Sequence, residues 1–218
     1  MALSKAKVKK YYDRFGIKQD SQGFYEDPPV ERLIEQGDFG NARRVFELGC
    51  GTGRLAARLL ADHLSADASY SGVDVSDTMI ALASQRLERF GKRVSLSLST
   101  GGTEIPRLNH SLDRVVSAYV LDLLPEEEIE ELFEEAHRVL DLGGLLCCVS
   151  LTRGTGVGSR LVSALWSAVY RVAPSLVGGC RPISLAPRLD LRRWDIVYHE
   201  ILTPFAVPSE VLVARLKV

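Results

Sequence analysis

Glu47-Leu48-Gly49-Cys50-Gly51-Thr52-Gly53 is the stretch that decides how this chain folds. It follows a short β-type run, Arg44-Val45-Phe46, and opens a helical run, Arg54-Leu55-Ala56-Ala57-Arg58-Leu59-Leu60. Glycines set this tightly between strand and helix let the backbone turn sharply and bring a ligand against bare main chain. The free N–H groups of the helix that follows then face whatever binds there. A nucleotide-like ligand is expected.

Two details argue against a nicotinamide dinucleotide. The position of the third fingerprint glycine is Arg54, a bulky side chain where helix and strand should pack closely. The carboxylate of Glu47 stands just before the turn, where it would repel a pyrophosphate and attract a positive centre. S-adenosylmethionine meets both conditions, with its ammonium, sulfonium and carboxylate and no phosphate. A second strand, Tyr70-Ser71-Gly72-Val73-Asp74-Val75-Ser76, ends in an acid 21 residues after Gly53. That is about the spacing of roughly 20 at which a carboxylate reaches a ribose diol in a nucleotide-binding βαβ unit. Ser76 is a good N-cap for the helix through Met79, Ile80, Ala83 and Leu87, with Gly91 as its stop.

From Arg44 onward strands and helices alternate, which predicts an α/β fold with parallel strands and helices on both faces. Strands are expected near 44–48, 70–75, 94–99, 113–118 and 145–151. Pro125 opens an acid-rich helix that buries Ile129, Leu132, Phe133, Ala136 and Leu140, and Gly143-Gly144 closes that stretch. Before the sheet, Ser4 can cap a helix ending near Gly16, and Asp27-Pro28 reads as N-cap and N1 of a helix from Val30 to Gln36, stopped by Gly37. At the other end, 193–201 and 209–216 are β-type runs joined by a proline-bearing turn.

With 218 residues the chain is long enough for one sizeable α/β domain. Its net charge of −1 leaves no overall electrostatic footprint for nucleic acid or an acidic membrane. There is no apolar run of membrane-spanning length, and Met1-Ala2-Leu3-Ser4-Lys5 lacks a signal-peptide core, so a cytoplasmic location without stable membrane insertion is expected. Cys50, Cys147, Cys148 and Cys180 form no C-x-x-C pair and read as small buried residues. His63, His110, His137 and His199 are scattered without ligand spacing, so no metal is expected.

The runs ELGCGTGRLA, GVDVSDTMIALA, SLDRVVSAYVLDLLP and HRVLDLGGLLCCVS resemble the class I S-adenosylmethionine-dependent methyltransferases, over about residues 44–151. The resemblance implies methyl transfer, with S-adenosylhomocysteine as product. It also implies a Rossmann-like, doubly wound, mostly parallel seven-stranded sheet closed by a C-terminal antiparallel hairpin. One domain over 1–218 follows, with a helical lid at 1–40, a cofactor-binding core at 41–151, and a substrate-cover helix and closing hairpin at 152–218. In proteins of this kind the N-terminal segment folds over the methionine end of the cofactor, which makes Tyr12 a contact.

Ligands of open α/β sheets bind beyond the carboxyl ends of the strands. The expected cofactor residues are therefore Glu47, Gly49, Cys50, Gly51, Arg54, Asp74, Val75, Met79, Gly101, Gly102, Ser117 and Tyr119. Relatives carry an acid or amide near Thr100, so the adenine amino contact falls to backbone here. Asp122, Tyr119 and His199 are the candidates for handling a proton. Tyr25, Trp166, Tyr170 and Arg181 are the candidates for the acceptor. Leu161, Val162, Leu165, Trp166, Val169, Tyr170 and Val172 recur at helical steps. In members resembling quinone and lipid methyltransferases this position holds a flexible helical cover, so a small, hydrophobic or lipid-like acceptor is expected. An amine or phospholipid-headgroup N-methyltransferase and a catalytically silent S-adenosylmethionine-binding partner protein remain as alternatives.

Overall fold

A computed structural model describes residues 3–217; Met1, Ala2 and Val218, and with them the first residues of the expected leaderless start, lie outside the described residues. Seven strands form one sheet: β1 Arg44–Leu48, β2 Ser69–Asp74, β3 Val94–Leu98, β4 Leu112–Ala118, β5 Leu140–Leu151, β6 Trp194–Leu202 and β7 Ser209–Leu216. Their order is β3-β2-β1-β4-β5-β7-β6. The first five run parallel, and β7 lies antiparallel between β5 and β6. This is the expected seven-stranded sheet with its antiparallel close. The chain moves outward from β1 to β3 and then returns to lay β4 on the other side of β1. The carboxyl ends of β1 and β4 therefore part at the point where an open α/β sheet holds its ligand.

Alternation along the strands feeds two cores. Phe46, Val115, Leu146, Cys148 and Leu212 face helix α5 (Glu126–Val139), which packs through Ile129, Leu132, Phe133 and Ala136. Their neighbours Val45, Val116, Cys147 and Val213 face α2 (Gly23–Gln36) and α3 (Arg54–Arg58), which pack through Leu33, Ile34, Leu55 and Ala56. Successive side chains of a strand point to opposite faces, so adjacent Cys147 and Cys148 sit in different cores and cannot pair. Helix α4 (Asp77–Leu87) begins as expected, with the Ser76 hydroxyl accepting from the Met79 amide at 3.2 Å.

Two local boundaries differ from the sequence reading. Helix α2 starts at Gly23, so Asp27, Pro28 and Pro29 lie inside it. The prolines lack N–H groups, and side-chain contacts hold the first turn instead: Tyr25 is buried and Asp27 is paired with Arg54. Gly143 and Gly144 lie within β5, which starts at Leu140 and carries an irregular register before Leu145. Helix α1 (Lys5–Phe15) starts where expected, yet the Ser4 side chain makes no capping bond; its carbonyl accepts from Lys7 and Val8. The sixth helix, α6 (Val157–Val172), forms from the predicted run, but Leu161, Leu165 and Val172 face outward. Among the described residues no helix is long and apolar enough to cross a membrane, and no group of three or more His, Cys, Asp or Glu is placed to hold a metal.

One buried cation fixes the entry to the sheet. Arg114 of β4 is 5% exposed and donates to the carbonyls of Gly37, at 2.6 Å, and of Asp38, closing the left-handed turn between α2 and β1. Removing the guanidinium strands the Gly37 carbonyl, at about 1–3 kcal/mol for a buried group left unpaired, while the Asp38 carbonyl keeps the Asn41 amide at 3.3 Å. Arg114→Leu should lower unfolding free energy in urea by about 1–3 kcal/mol.

Candidate active site

The glycine loop leaves β1 through left-handed backbone at Gly49 (φ 73°) and Gly51 (φ 52°). A Cβ at Gly49 would stand 2.2 Å from Val120 Cγ2, so this position is closed to any side chain. The Gly49 and Cys50 amides both donate to the Val73 carbonyl, at 2.8 and 2.9 Å, which ties the turn to β2. Asp74, at the end of β2, accepts from the Gly51 amide at 3.0 Å through Oδ2 and from the Ser76 amide at 2.9 Å through Oδ1. Each oxygen keeps a lone pair for a further donor. Burial pushes the Asp74 carboxyl up from its ordinary value, and the backbone donors pull it back down.

A cleft of about 580 Å³ opens above this turn, within the roughly 300–1,000 Å³ typical of small-molecule sites. It is lined by Gly49, Gly51, Asp74, Val75, Gly101, Gly102 and Tyr119 from the sheet ends, by Tyr12 of α1, and by Tyr170 and Arg181. Leu3, Lys5, Val8, Gln19, Ser99, Leu123 and Glu128 also line it, and the sequence reading had not singled them out. Lys5 and Glu128 form an ion pair at 3.0 Å, joining α1 to α5.

The N-terminal segment is tied to the loop at several points. Asp13 accepts from the Ser76 hydroxyl at 2.6 Å, Asp20 accepts from the Thr52 hydroxyl at 2.7 Å and pairs with Arg86, and Asp27 pairs with Arg54. Gln19 ends beside Gly51 with a buried Oε1 that has no partner in the protein.

Other expected cofactor residues sit behind the cleft rather than in its wall. Glu47 is buried and accepts a hydrogen bond from Tyr70; it lines a crevice of about 60 Å³ beneath the loop, together with Cys50 and Arg54. Burial raises the Glu47 carboxyl to about 7, partly offset by the Tyr70 hydrogen bond, with the Asp74 charge adding to the rise. Met79 and Ser117 are fully buried, and neither lines the cleft. His199 lies on β6, where its Nε2 meets Glu210 at 2.9 Å; Glu210 also accepts the amides of Leu185 and Ala186. That cluster pins a loop to the sheet, away from the cleft.

A second chamber of about 190 Å³ adjoins the cleft, and Tyr12, Gln19 and Tyr119 line both. Its walls include Tyr11, Tyr25, Trp166, Leu151, Leu176 and Val177, with two carboxyl groups, Glu26 and Asp122. Tyr119 holds a left-handed φ of 56°, and its hydroxyl donates to Ser209 at 2.9 Å. The Tyr25 ring stands edge-on to it at 6.0 Å, and the Trp166 indole donates to the Cys180 carbonyl at 3.0 Å. A tyrosine in left-handed backbone stores strain of order 1–3 kcal/mol, a feature concentrated at functional sites.

Asp122 is fully buried; Oδ2 accepts a long 3.4 Å bond from the Leu151 amide, and Oδ1 has no partner in the protein. Burial raises its carboxyl to about 7. Glu26 is likewise raised to about 7 by burial, with nearby Arg54 and the Tyr25 hydroxyl opposing the rise. Neither acid was legible as half of a pair, because 96 positions separate them in the chain.

Comparison with known proteins fits this geometry. Residues 45–144 match a family model described as a methyltransferase domain. Over that stretch the chain is similar to the methyltransferase domains of S-adenosylmethionine-dependent enzymes. It is 29% identical over 157 residues to a malonyl-[acyl-carrier protein] O-methyltransferase of Marinomonas sp. (strain MWYL1), a match covering 71% of this chain and 55% of the relative. It is 23% identical over 123 residues to the demethylmenaquinone methyltransferase of Bacillus cytotoxicus, covering 56% of this chain and 51% of the relative. The chain thus spans about half the length of these curated relatives. In fold it is similar to geranyl diphosphate C-methyltransferase from Streptomyces coelicolor A3(2), solved with S-adenosyl-L-homocysteine, at a TM-score of 0.65 and 17% identity, covering 88% of this chain and 79% of that one.

S-adenosylmethionine is the cofactor of this methyltransferase domain, and the residues present fit it. Asp74 has lone pairs for a diol, the unpartnered Gln19 Oε1 is an acceptor for an ammonium, and Val75 gives an apolar wall.

The buried acids also set how stability varies with pH. A folded carboxyl raised to about 7 binds its proton where the unfolded one, near 4, has lost it, so this contribution to stability falls as pH rises from about 4 to 7. Asp122→Asn mimics the protonated acid. It should raise the melting temperature at pH 8 by several degrees and change it little at pH 4, as read by calorimetric melting at the two pH values.

Proposed function

We propose that this chain transfers a methyl group from S-adenosylmethionine to a small, largely apolar acceptor held in the aromatic chamber. The observation that carries this reading is the shared wall: Tyr12, Gln19 and Tyr119 line both the cleft and a chamber lined by Tyr25, Trp166, Leu151, Leu176 and Val177. When bound, the cofactor supplies a methyl carbon already activated by the sulfonium. The protein's part is then to align the nucleophile and exclude water.

Asp74 and Gln19 orient the cofactor, and the N-terminal segment with Tyr12 roofs it as a lid. The aromatic walls hold the acceptor, with Tyr119 kept rigid by its bond to Ser209. Asp122 serves as general base: its unpartnered Oδ1 takes the proton of an acceptor hydroxyl, and a carboxyl near 7 suits proton transfer at neutral pH. Arg181 is a positioning residue. Its amide donates to the Asp122 carbonyl at 3.0 Å, which fixes the turn bearing the base.

One observation favours a second reading, an amine acceptor. Glu26 and Asp122 are both acids of the chamber, and aromatic faces beside carboxylates welcome a cation. Under that reading Glu26→Gln and Asp122→Asn each raise KM for the amine, whereas for an apolar hydroxyl acceptor only Asp122→Asn acts, and it acts on kcat.

Titration calorimetry with S-adenosylmethionine, S-adenosylhomocysteine and NAD should give binding of the first two alone. Asp74→Ala should weaken S-adenosylhomocysteine roughly tenfold to a hundredfold, with the fold unchanged by circular dichroism. Binding left intact in that variant removes the ribose assignment. With an acceptor in hand, Asp122→Asn should cut kcat by about 10²-fold or more while cofactor affinity stays level. The wild-type kcat should rise with pH through about 7 as the carboxyl loses its proton.

A further inference from the structure

Helix α6 is turned inside out. Its buried residues are Ser159 and Ser163, whereas Leu161, Leu165 and Val172 are 71%, 65% and 87% exposed. The serine hydroxyls are satisfied locally: Ser163 donates to the Arg160 carbonyl at 3.1 Å and Ser167 to the Ser163 carbonyl at 2.7 Å. An ordinary surface helix does the reverse, burying its aliphatic stripe and wetting its serines. The exposed stripe continues at both ends. Leu176 is exposed in the turn after α6, and the turn at 204–206 packs against the helix and presents Phe205, 75% exposed, beside Phe24 at 5.4 Å. Phe205 and Ala206 both hold left-handed backbone, at φ 51° and 64°. An exposed aromatic kept on a strained turn costs stability, and Phe24, which it meets, is itself exposed.

Charge says what covers this face. Residues 152–189 contain five arginines and no carboxylate, in a chain whose net charge is −1. Arg153, Arg160 and Arg171 are exposed and form no ion pair with any described residue. Helix α1 extends the basic rim: Tyr11 packs at Gly178, and Lys7 and Arg14 share its stripe at helical spacing. Exposed leucines and a phenylalanine rimmed by arginine and lysine are the make-up of a helix that lies in a lipid interface. Two copies meeting through this face would oppose arginine to arginine, and a nucleic acid would leave the leucines unused.

We propose that the outer face of α6, with Phe205 and its basic rim, docks the protein on an anionic lipid bilayer. The helix lies flat with Leu161, Leu165 and Val172 in the acyl boundary and Arg160 and Arg171 at the headgroups. Its other side carries Trp166 and Tyr170, which line the chamber and the cleft, so docking sets both cavities one helix thickness from the lipid. The proposal goes beyond methyl transfer and holds whatever the acceptor is.

Vesicle flotation with the purified chain tests it, using phosphatidylcholine vesicles with and without phosphatidylglycerol at about 0.1 M salt. Capture by the anionic vesicles is expected, and Leu161→Glu with Leu165→Glu should abolish it. Arg160→Gln with Arg171→Gln should weaken it roughly 30-fold, at about fivefold per cation near the surface. S-adenosylhomocysteine binding and melting temperature should stay level in both variants, which separates lost docking from lost folding and from failure of the methyltransferase reading. Absence of capture by anionic vesicles overturns the proposal, as does capture that survives the leucine substitutions. So does a dimer in size-exclusion chromatography that those substitutions disperse while vesicles capture nothing.

Discussion

The hydrogen bond from the Gly51 amide to the Asp74 carboxylate joins the two elements on which the site depends. It holds the first turn of the sheet against the end of the second strand. It is possible only because the chain leaves β1 through left-handed backbone that glycine adopts without strain. With the turn fixed, the α3 helix starts at Arg54, Thr52 is placed to meet Asp20, and Arg54 is placed to meet Asp27. The N-terminal segment therefore docks on the glycine loop and not merely on the sheet. The cleft is a consequence of both: the loop makes its floor, and the docked segment supplies part of its walls.

Electrostatics around this centre follow one pattern. Glu47, Glu26 and Asp122 are three carboxyls raised to about 7, in each case by burial first. Glu47 has a partner in Tyr70 and sits below the loop. Asp122 keeps one oxygen without a partner at the chamber wall. Keeping such an acid buried with an oxygen unpartnered costs stability, and that cost is what marks Asp122, and not Glu47, for the proton transfer proposed above.

Much of this was legible in the sequence, for a physical reason. A tight turn needs glycines, a ribose contact needs an acid at the next strand end, and parallel strands buried on both faces need continuous apolar runs; each requirement leaves its residues at fixed spacing. What was not legible depends on tertiary placement. Asp27-Pro28 carries a helix-start signal, yet packing of Tyr25 and the Asp27–Arg54 pair pull the helix back to Gly23. Gly143-Gly144 looks like a break, and the ladder to β4 does skip there, from Leu140 to Leu145, but β5 pairs on both sides of it. Gln19 comes from an irregular segment with no periodicity to mark it. The period of α6 gave its helix and not its orientation, since the same spacing describes a stripe facing inward or outward.

Helix α1 contributes wall to the cleft yet contains no fully buried residue. It is held by partly exposed pairs such as Lys5–Glu128 and Lys9–Asp77, each worth about 0–1 kcal/mol. The central strands beneath, β1, β4, β5 and β7, are mostly buried. Detaching α1 is therefore among the least costly local unfolding events open to this chain, and far below global unfolding. Peeling back this one helix would open the cleft with the glycine loop and every strand left in register.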